Sequence, residues 1–360
     1  ASIVASFALM VAMATMVASF RDSVSDWLDR VLPAELYVRA GPAGSSSAFS
    51  DADLERIRTH PGVARVDFTR FVKASLDPAR APVTLIVRNI DAADPARAFP
   101  LAGASRPWRE GMDPPVWVSE AVVDLYGTPP GSTITLPIAG RAQRFFVAGV
   151  WRDYARQYGA IALRDTDYER LTGERTRTDA AIWLAPGWSG ARLTEELRGA
   201  LDSRATAEFI APGEIREASL KIFDRSFAVT YLLEIAAIVI GLTGVAASFS
   251  AQALARLREF GMLRHLGLTR GAVLRLIALE GLMLTGLAVV VGLATGLAIS
   301  LVLVFVVNPQ SFHWTMDFHA PQGLIAVLVA ALLAAATLTA VVAGRRATAR
   351  SAVMAVREDW

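Results

Sequence analysis

The sequence predicts a membrane α-helical protein with four transmembrane helices and a large α+β domain inserted after the first. Three observations carry that expectation. Four segments are apolar and long enough to cross a hydrocarbon core, which takes about 20 residues of helix. The arginines gather beside the ends of those segments, where charge reports topology rather than chemistry. The stretch 21–226 instead shows the short alternating runs, caps and turn residues of a compact α+β fold. The 53% hydrophobic composition is therefore the average of a membrane part and an ordinary water-exposed part.

The first span is 1–20. It begins on Ala1, already inside the apolar run, and it lacks the charged leader and small-residue cleavage site of a signal peptide. It is read as a true membrane helix, with Trp27 and Leu28–Leu32 continuing as a stalk. Within 21–226, strands are expected at Glu35–Arg39, Ala64–Phe71, Pro82–Ile90, Val116–Ser119, Ser132–Pro137, Arg144–Val150, Ala160–Leu163 and Ala180–Leu184. Helices are expected at Asp51–Thr59, at Glu120–Tyr126 stopped by Gly127, at Thr166–Leu171 before Gly173, and at Ala191–Leu201. Ser50, Ser119, Asp165 and Ser189 stand where N-caps belong. A second stalk, Glu214–Phe223, runs toward the next span without a Pro or Gly after Gly213.

The remaining spans are 227–254, 279–308 and 323–344, separated by a connecting region at 255–278 and a loop at 309–322, with a tail at 345–360. The 255–278 region and the tail carry several arginines close to a span and are placed in the cytoplasm. The loop has no Lys or Arg and is placed outside, which makes 21–226 extracytoplasmic. Small residues line the spans at Ala8/Ala12, Thr15/Ser19 and Gly292-Leu-Ala-Thr-Gly296. Two readings fit that spacing, packing within this chain or a seam between two copies. Glu234, just inside the second span, is a candidate because an ionisable group there is costly.

Catalytic chemistry is not indicated. Neither Lys73 nor Lys221 follows a glycine, so no G-x-x-x-x-G-K-[ST] phosphate loop exists, and H-E-x-x-H and G-x-S-x-G are absent. With no cysteine there is no disulfide, thiolate metal site or Cys nucleophile. His313, Asp317 and His319 share the outer loop and could in principle hold a metal, or be ordinary solvated residues. Asp165-Thr-Asp-Tyr-Glu169 starts like a calcium loop, but Arg170 stands where its glycine belongs, so the acids are read as partners of a helix N-terminus. Trp151-Arg-Asp-Tyr154 ends a strand and either shapes a surface or is an ordinary aromatic strand end. No catalytic, metal or cofactor-binding residue is expected in this chain, and nothing points to nucleic acid.

The distinctive segment is Arg256-Leu-Arg-Glu-Phe-Gly-Met-Leu-Arg-His-Leu-Gly-Leu-Thr-Arg270, followed by Glu280-Gly281. Its helix leaves the membrane, breaks at Gly267 and restarts at Thr269, forming a basic corner fit to be gripped by a soluble partner. This segment resembles the R-x-R-E-[FI]-G-x-x-R-x-[LI]-G coupling region of the FtsX-like permeases, the MacB/LolC-type membrane subunits of ABC transporters. Val116-Trp-Val-Ser-Glu120, Gly131-Ser-Thr-Ile-Thr-Leu-Pro137, Phe146-Val-Ala-Gly-Val150 and Ala355-Val-Arg-Glu-Asp-Trp360 are similar to the same family. The likeness covers nearly the whole chain and is to the C-terminal half of large two-repeat permeases, so the chain is expected to be a fragment of one.

The resemblance implies an inserted domain of MacB periplasmic-core type in the bacterial inner membrane. It implies that Arg258, Glu259, Gly261, Arg264, Gly267 and Glu280 form the docking and coupling element for a cytoplasmic ABC ATPase. ATP and Mg would be bound by that partner, and ATP-driven motion would reach the outer domain for export or extraction of a lipid, lipoprotein, peptide or antibiotic. The other permease half or a second copy, membrane lipids and a periplasmic protein are the further partners implied. A different class of function is a membrane-anchored sensor or scaffold, or a regulator of cell-wall hydrolases without transport. No kinase, cyclase or chemoreceptor output segment follows Arg345, which counts against the sensor.

Overall fold

A computed structural model describes residues 2–42, 45, 47–103, 105–202, 206–256, 259, 262–263 and 266–349. Its helices are α1 (Ser2–Val31), α2 (Asp51–Thr59), α3 (Glu120–Tyr126), α4 (Asp165–Thr172), α5 (Gly190–Ala200), α6 (Pro212–Ser226), α7 (Ala228–Ala255), α8 (Arg270–Val302), α9 (Asn308–Phe312) and α10 (Gln322–Ala349). Its strands are β1 (Leu36–Arg39), β2 (Val63–Ala74), β3 (Val83–Arg88), β4 (Pro115–Ser119), β5 (Thr133–Ile138), β6 (Arg141–Trp151), β7 (Ala160–Arg164), β8 (Asp179–Leu184) and β9 (Glu208–Ile210). Two compact units result. One comprises Ala1–Asp22, Asp224–Val307 and the chain from Met316 onward; the other comprises Ser23–Phe223 with Asn308–Thr315.

The first unit is helical. Among the described residues, Ile3–Val31, Arg270–Phe312 and Gln322–Val342 are long and apolar enough to cross a membrane, and Ala228–Gly241 is a shorter apolar helical stretch. That stretch lies within the 28-residue α7. Phe7, Met10 and Val11 of α1 pack with Ala237, Val289, Ile325, Leu332 and Ala336 in one buried cluster.

Gly292 and Gly296 make that packing close. A Cβ on Gly292 would stand 3.0 Å from the Phe7 ring and 3.2 Å from the Val4 carbonyl oxygen. One on Gly296 would meet the Ala8 carbonyl oxygen at 2.7 Å. The small-residue stripe on α8 is thus occupied by α1 of the same chain. Further along, the Ser19 hydroxyl donates to the His319 carbonyl (3.1 Å) and accepts from the His319 amide (2.9 Å), satisfying a buried hydroxyl. Between α6 and α7 a single turn residue, Phe227, interrupts the helix that the sequence leads one to expect as continuous.

The second unit is built on a nine-stranded sheet in the order β5-β6-β4-β7-β3-β2-β8-β1-β9. The β3–β7 and β4–β6 pairs are parallel, and the others antiparallel. Period-two burial places Ile134, Leu136 and Ile138 of β5 on the helix-covered face, where Val122 of α3 and Tyr168 of α4 join them. Leu193 and Leu197 of α5 and Ile57 of α2 cover β1 and β8. The central strands β4 and β7 are buried on both faces, because Phe99, Trp117 and Trp151 form a further cluster on the opposite side. This explains their near-continuous apolar sequence. The β5–β6 hairpin closes on Ala139 (φ 49°) and Gly140 (φ 73°), positive at both central positions as a tight hairpin turn requires.

Three local expectations change. A ninth strand, β9, adds to the β1 edge; with only three residues it offers too little alternation to be read in sequence. Asp165 is the first helical residue of α4 rather than its cap, which is Arg164. Ser119 occupies the cap position of α3, yet its hydroxyl accepts from the Ala160 amide across the sheet (2.9 Å) instead of from its own helix. Ser50 and Ser189 cap as expected, accepting from the Asp53 amide (3.0 Å) and the Arg192 amide (3.3 Å). The acids of 165–169 are taken up by arginines: buried Asp167 accepts from Arg164 (2.6 Å) and Arg170 (2.8 Å).

Candidate functional site

The expected docking corner lies between α7 and α8. After α7 ends at Ala255, the chain reaches Gly267 with φ at 99°, a backbone conformation that side-chain-bearing residues rarely adopt. The Leu268 amide donates back to the Leu263 carbonyl at 3.2 Å, and the Leu266 amide to Met262 at 3.0 Å. A six-to-one hydrogen bond across a left-handed glycine is the C-terminal closure of a helix. Two residues on, the Thr269 hydroxyl accepts from the Ala272 amide at 3.2 Å and starts α8. Stop, corner and restart are thus set by Gly267 and Thr269. Leu263 anchors the corner by packing against Val273, Ile277 and Ala340.

Arg256 gathers the acids. Its Nε donates to Glu259 Oε2 (2.7 Å), and its Nη1 donates to both carboxylate oxygens of Glu280, each at 2.7 Å. Those hydrogen bonds, to Glu259 first and Glu280 next, hold the guanidinium above its ordinary value. Pairs this exposed add little to stability. Their effect is geometric: Glu280 is drawn onto a cation 24 residues before it in the chain, beside Glu259. Around them Met262 (64% exposed) and Leu266 (80% exposed) present apolar side chains outward.

Of the six expected coupling residues, the structure brings Glu259 and Glu280 together through Arg256 and places Gly267 at the turn. Arg258, Gly261 and Arg264 lie outside the described residues. Arg256, although part of the sequence motif, carried no role there; neither did Met262 and Leu266, whose signal is two large apolar residues in a basic connection. His313 and His319 take separate routes, His313 pairing with Asp124 while His319 is held through its backbone by Ser19. The side chain of Glu234 lies outside what the structure describes.

Comparison with known proteins decides the family. The MacB-like periplasmic core domain family matches residues 1–200, and the FtsX-like permease C-terminal family matches residues 231–352. The chain belongs to the FtsX-like permeases. As a permease of that family with a MacB-like core, it is a membrane protein with an extracytoplasmic domain. It is 28% identical over 353 residues to an uncharacterized ABC transporter permease protein of Mycobacterium tuberculosis; the match covers 93% of this chain and 40% of the relative. The permease thus spans less than half the length of that relative. Among solved structures, it is similar to the periplasmic region of MacB from Actinobacillus actinomycetemcomitans (TM-score 0.39, 11% identity, 53% of this chain and 94% of the other). It is also similar to the extracellular domain of the noncanonic ABC-type transporter YknZ from Gram-positive bacteria (TM-score 0.33, 14% identity, 49% and 98%).

Proposed function

We propose that this chain is the membrane subunit through which a cytoplasmic ABC ATPase drives the extracytoplasmic domain, in a transporter of FtsX/MacB/LolC type. Four spans carry it across the bacterial inner membrane, α7 being the second; at about 1.5 Å per residue its 28 residues exceed a hydrocarbon core of roughly 30 Å. ATP and Mg are held by the ATPase, and a second permease unit of the same kind completes the transporter. The cargo is an amphiphile exported or extracted on the extracytoplasmic side: a lipid, lipoprotein, peptide or antibiotic.

The observation that supports this most is the Arg256–Glu259–Glu280 cluster beside the Gly267 corner. It presents a fixed charged and apolar relief within the family-matched residues, where a loop that only touched lipid headgroups would need nothing but positive charge. In this arrangement Glu280 and Arg256 set the shape of the corner, while Glu259, Met262 and Leu266 face the partner. The test is binding of the neighbouring-gene ABC ATPase to the permease in nanodiscs. Reversing the charges at Glu259 and Arg264 together should weaken binding by about ten- to a hundredfold, the loss expected when charge-assisted contacts worth about 1.5–3 kcal/mol are removed. The melting temperature of the outer domain should not change. Unaltered affinity would end the docking assignment.

A further inference from the structure

The connection between α8 and α10 has more structure than a charge-free outer loop requires. Its residues 308–315 belong to the extracytoplasmic unit, and every polar group of Thr315 is taken up there. The Thr315 amide donates to Glu120 Oε2 (3.1 Å) and its hydroxyl to Glu120 Oε1 (2.6 Å). The same hydroxyl accepts from Arg152 Nη2 (3.0 Å), and the Thr315 carbonyl accepts from the Tyr154 hydroxyl (2.8 Å). Glu120 opens α3, and Arg152 and Tyr154 follow β6. Three side chains, one from α3 and two from the segment after β6, thus bind one loop residue.

The residues before Thr315 seat it. The Asn308 side-chain amide donates to the Trp314 carbonyl (3.0 Å), and the Phe312 and Trp314 rings stack with centroids 5.5 Å apart. His313 pairs with Asp124 from a positive φ of 63°, an uncommon conformation for a residue with a side chain. Trp314 meets the edge of Tyr154 at 5.7 Å, and Trp27 of α1 meets the same ring at 5.8 Å. Trp27 Nε1 also donates to the Arg152 carbonyl (2.8 Å). Arg152 and Tyr154 are therefore shared by the α1 stalk and the outer connection.

The chain stays helical from Arg270 to Phe312, passing through a π-helical turn at Leu303–Val307. That run begins beside the Thr269 cap of the docking corner and ends three residues short of Thr315. The α6–α7 route, by contrast, is interrupted at Phe227.

We infer that Thr315 in its Glu120–Arg152–Tyr154 socket is a latch, through which displacement of α8 by the ATPase is passed to the extracytoplasmic domain alongside the two stalks. The inference rests on the proposed coupling function. Glu120, Arg152 and Tyr154 are positioning residues: they hold the end of the helical run and touch no cargo.

The test uses the whole permease with its neighbouring-gene ABC ATPase in nanodiscs, comparing hydrogen exchange in the nucleotide-free and ATP–vanadate-trapped complexes. Trapping should change exchange of peptides covering 119–126 and 151–158 by about tenfold, a change of ordinary coupling size. Glu120→Ala should bring that ratio close to one while leaving ATPase affinity and nucleotide-free exchange elsewhere in the domain as in wild type. Thr315→Ser, which keeps the hydroxyl, should retain the wild-type ratio. A Glu120→Ala complex with the full nucleotide-dependent change would overturn the latch, and so would a wild type with no change in these peptides. Failure of the unmodified chain to bind the ATPase at all would be a separate result, and would overturn the coupling function and the latch with it.

Discussion

Replacing Gly267 by valine isolates the corner from the charges around it. Gly267 sits at φ 99°, and a Cβ built there meets nothing within 4 Å among the described residues, so the cost of the substitution is chiefly conformational. A left-handed backbone costs a side-chain-bearing residue about 1–2 kcal/mol, more when it is β-branched. If the turn opens to relieve that strain, the Leu268–Leu263 hydrogen bond is given up instead, at about 0.5–1.5 kcal/mol. Holding the corner closed therefore costs about 1–2 kcal/mol, and a partner that binds only the closed corner should lose roughly 5- to 30-fold in affinity, at about 1.4 kcal/mol per decade.

Gly271, four residues on, supplies the control. It lies inside α8 with open space around it and no positive φ, so Gly271→Ala should be neutral or slightly favourable. Binding of the ATPase to each variant in nanodiscs and the exchange rate of the Leu268 amide would be measured in parallel. Gly267→Val with unchanged affinity and a still-protected Leu268 amide would refute the reasoning, since the glycine would then not be what closes the corner.

Two further outcomes follow from the helical unit and the charge pattern. Gly296→Ala should push α1 and α8 apart, because its Cβ would fall 2.7 Å from the Ala8 carbonyl oxygen; the overpacking should cost about 1–3 kcal/mol in thermal unfolding of the detergent-solubilised permease. Gly286→Ala, whose Cβ meets nothing within 4 Å among the described residues, should leave the melting temperature unaltered or slightly raised, and equal behaviour of the two variants would show that the helices do not meet at Gly296. Since the chain has no cysteine, Ser45→Cys and Thr269→Cys report topology cleanly. An impermeant maleimide should label the first in intact cells and the second only after lysis, and labelling of Thr269→Cys in intact cells would reverse the arrangement.

Much of this protein is legible in its sequence because the determinants are local. Apolar length marks the long helices, arginine placement gives their expected orientation, and Gly127, Gly173 and Gly267 end helices where a positive φ is needed. Ser50 and Ser189 cap because the hydroxyl and the amide it serves lie three residues apart in the chain. What the tertiary structure decided depends on partners distant in sequence. Ser119 leaves its own helix for the Ala160 amide, and the Gly292/Gly296 stripe, equally suited to a second copy, is filled by α1 of the same chain. Arg256 joins Glu259 to Glu280, and Glu120 grips Thr315 from 195 residues away. Propensity and hydropathy are properties of short windows and act before the chain has folded. A hydrogen bond to a remote carboxylate exists only once packing has brought it within about 3 Å, and no window of sequence records which carboxylate that will be.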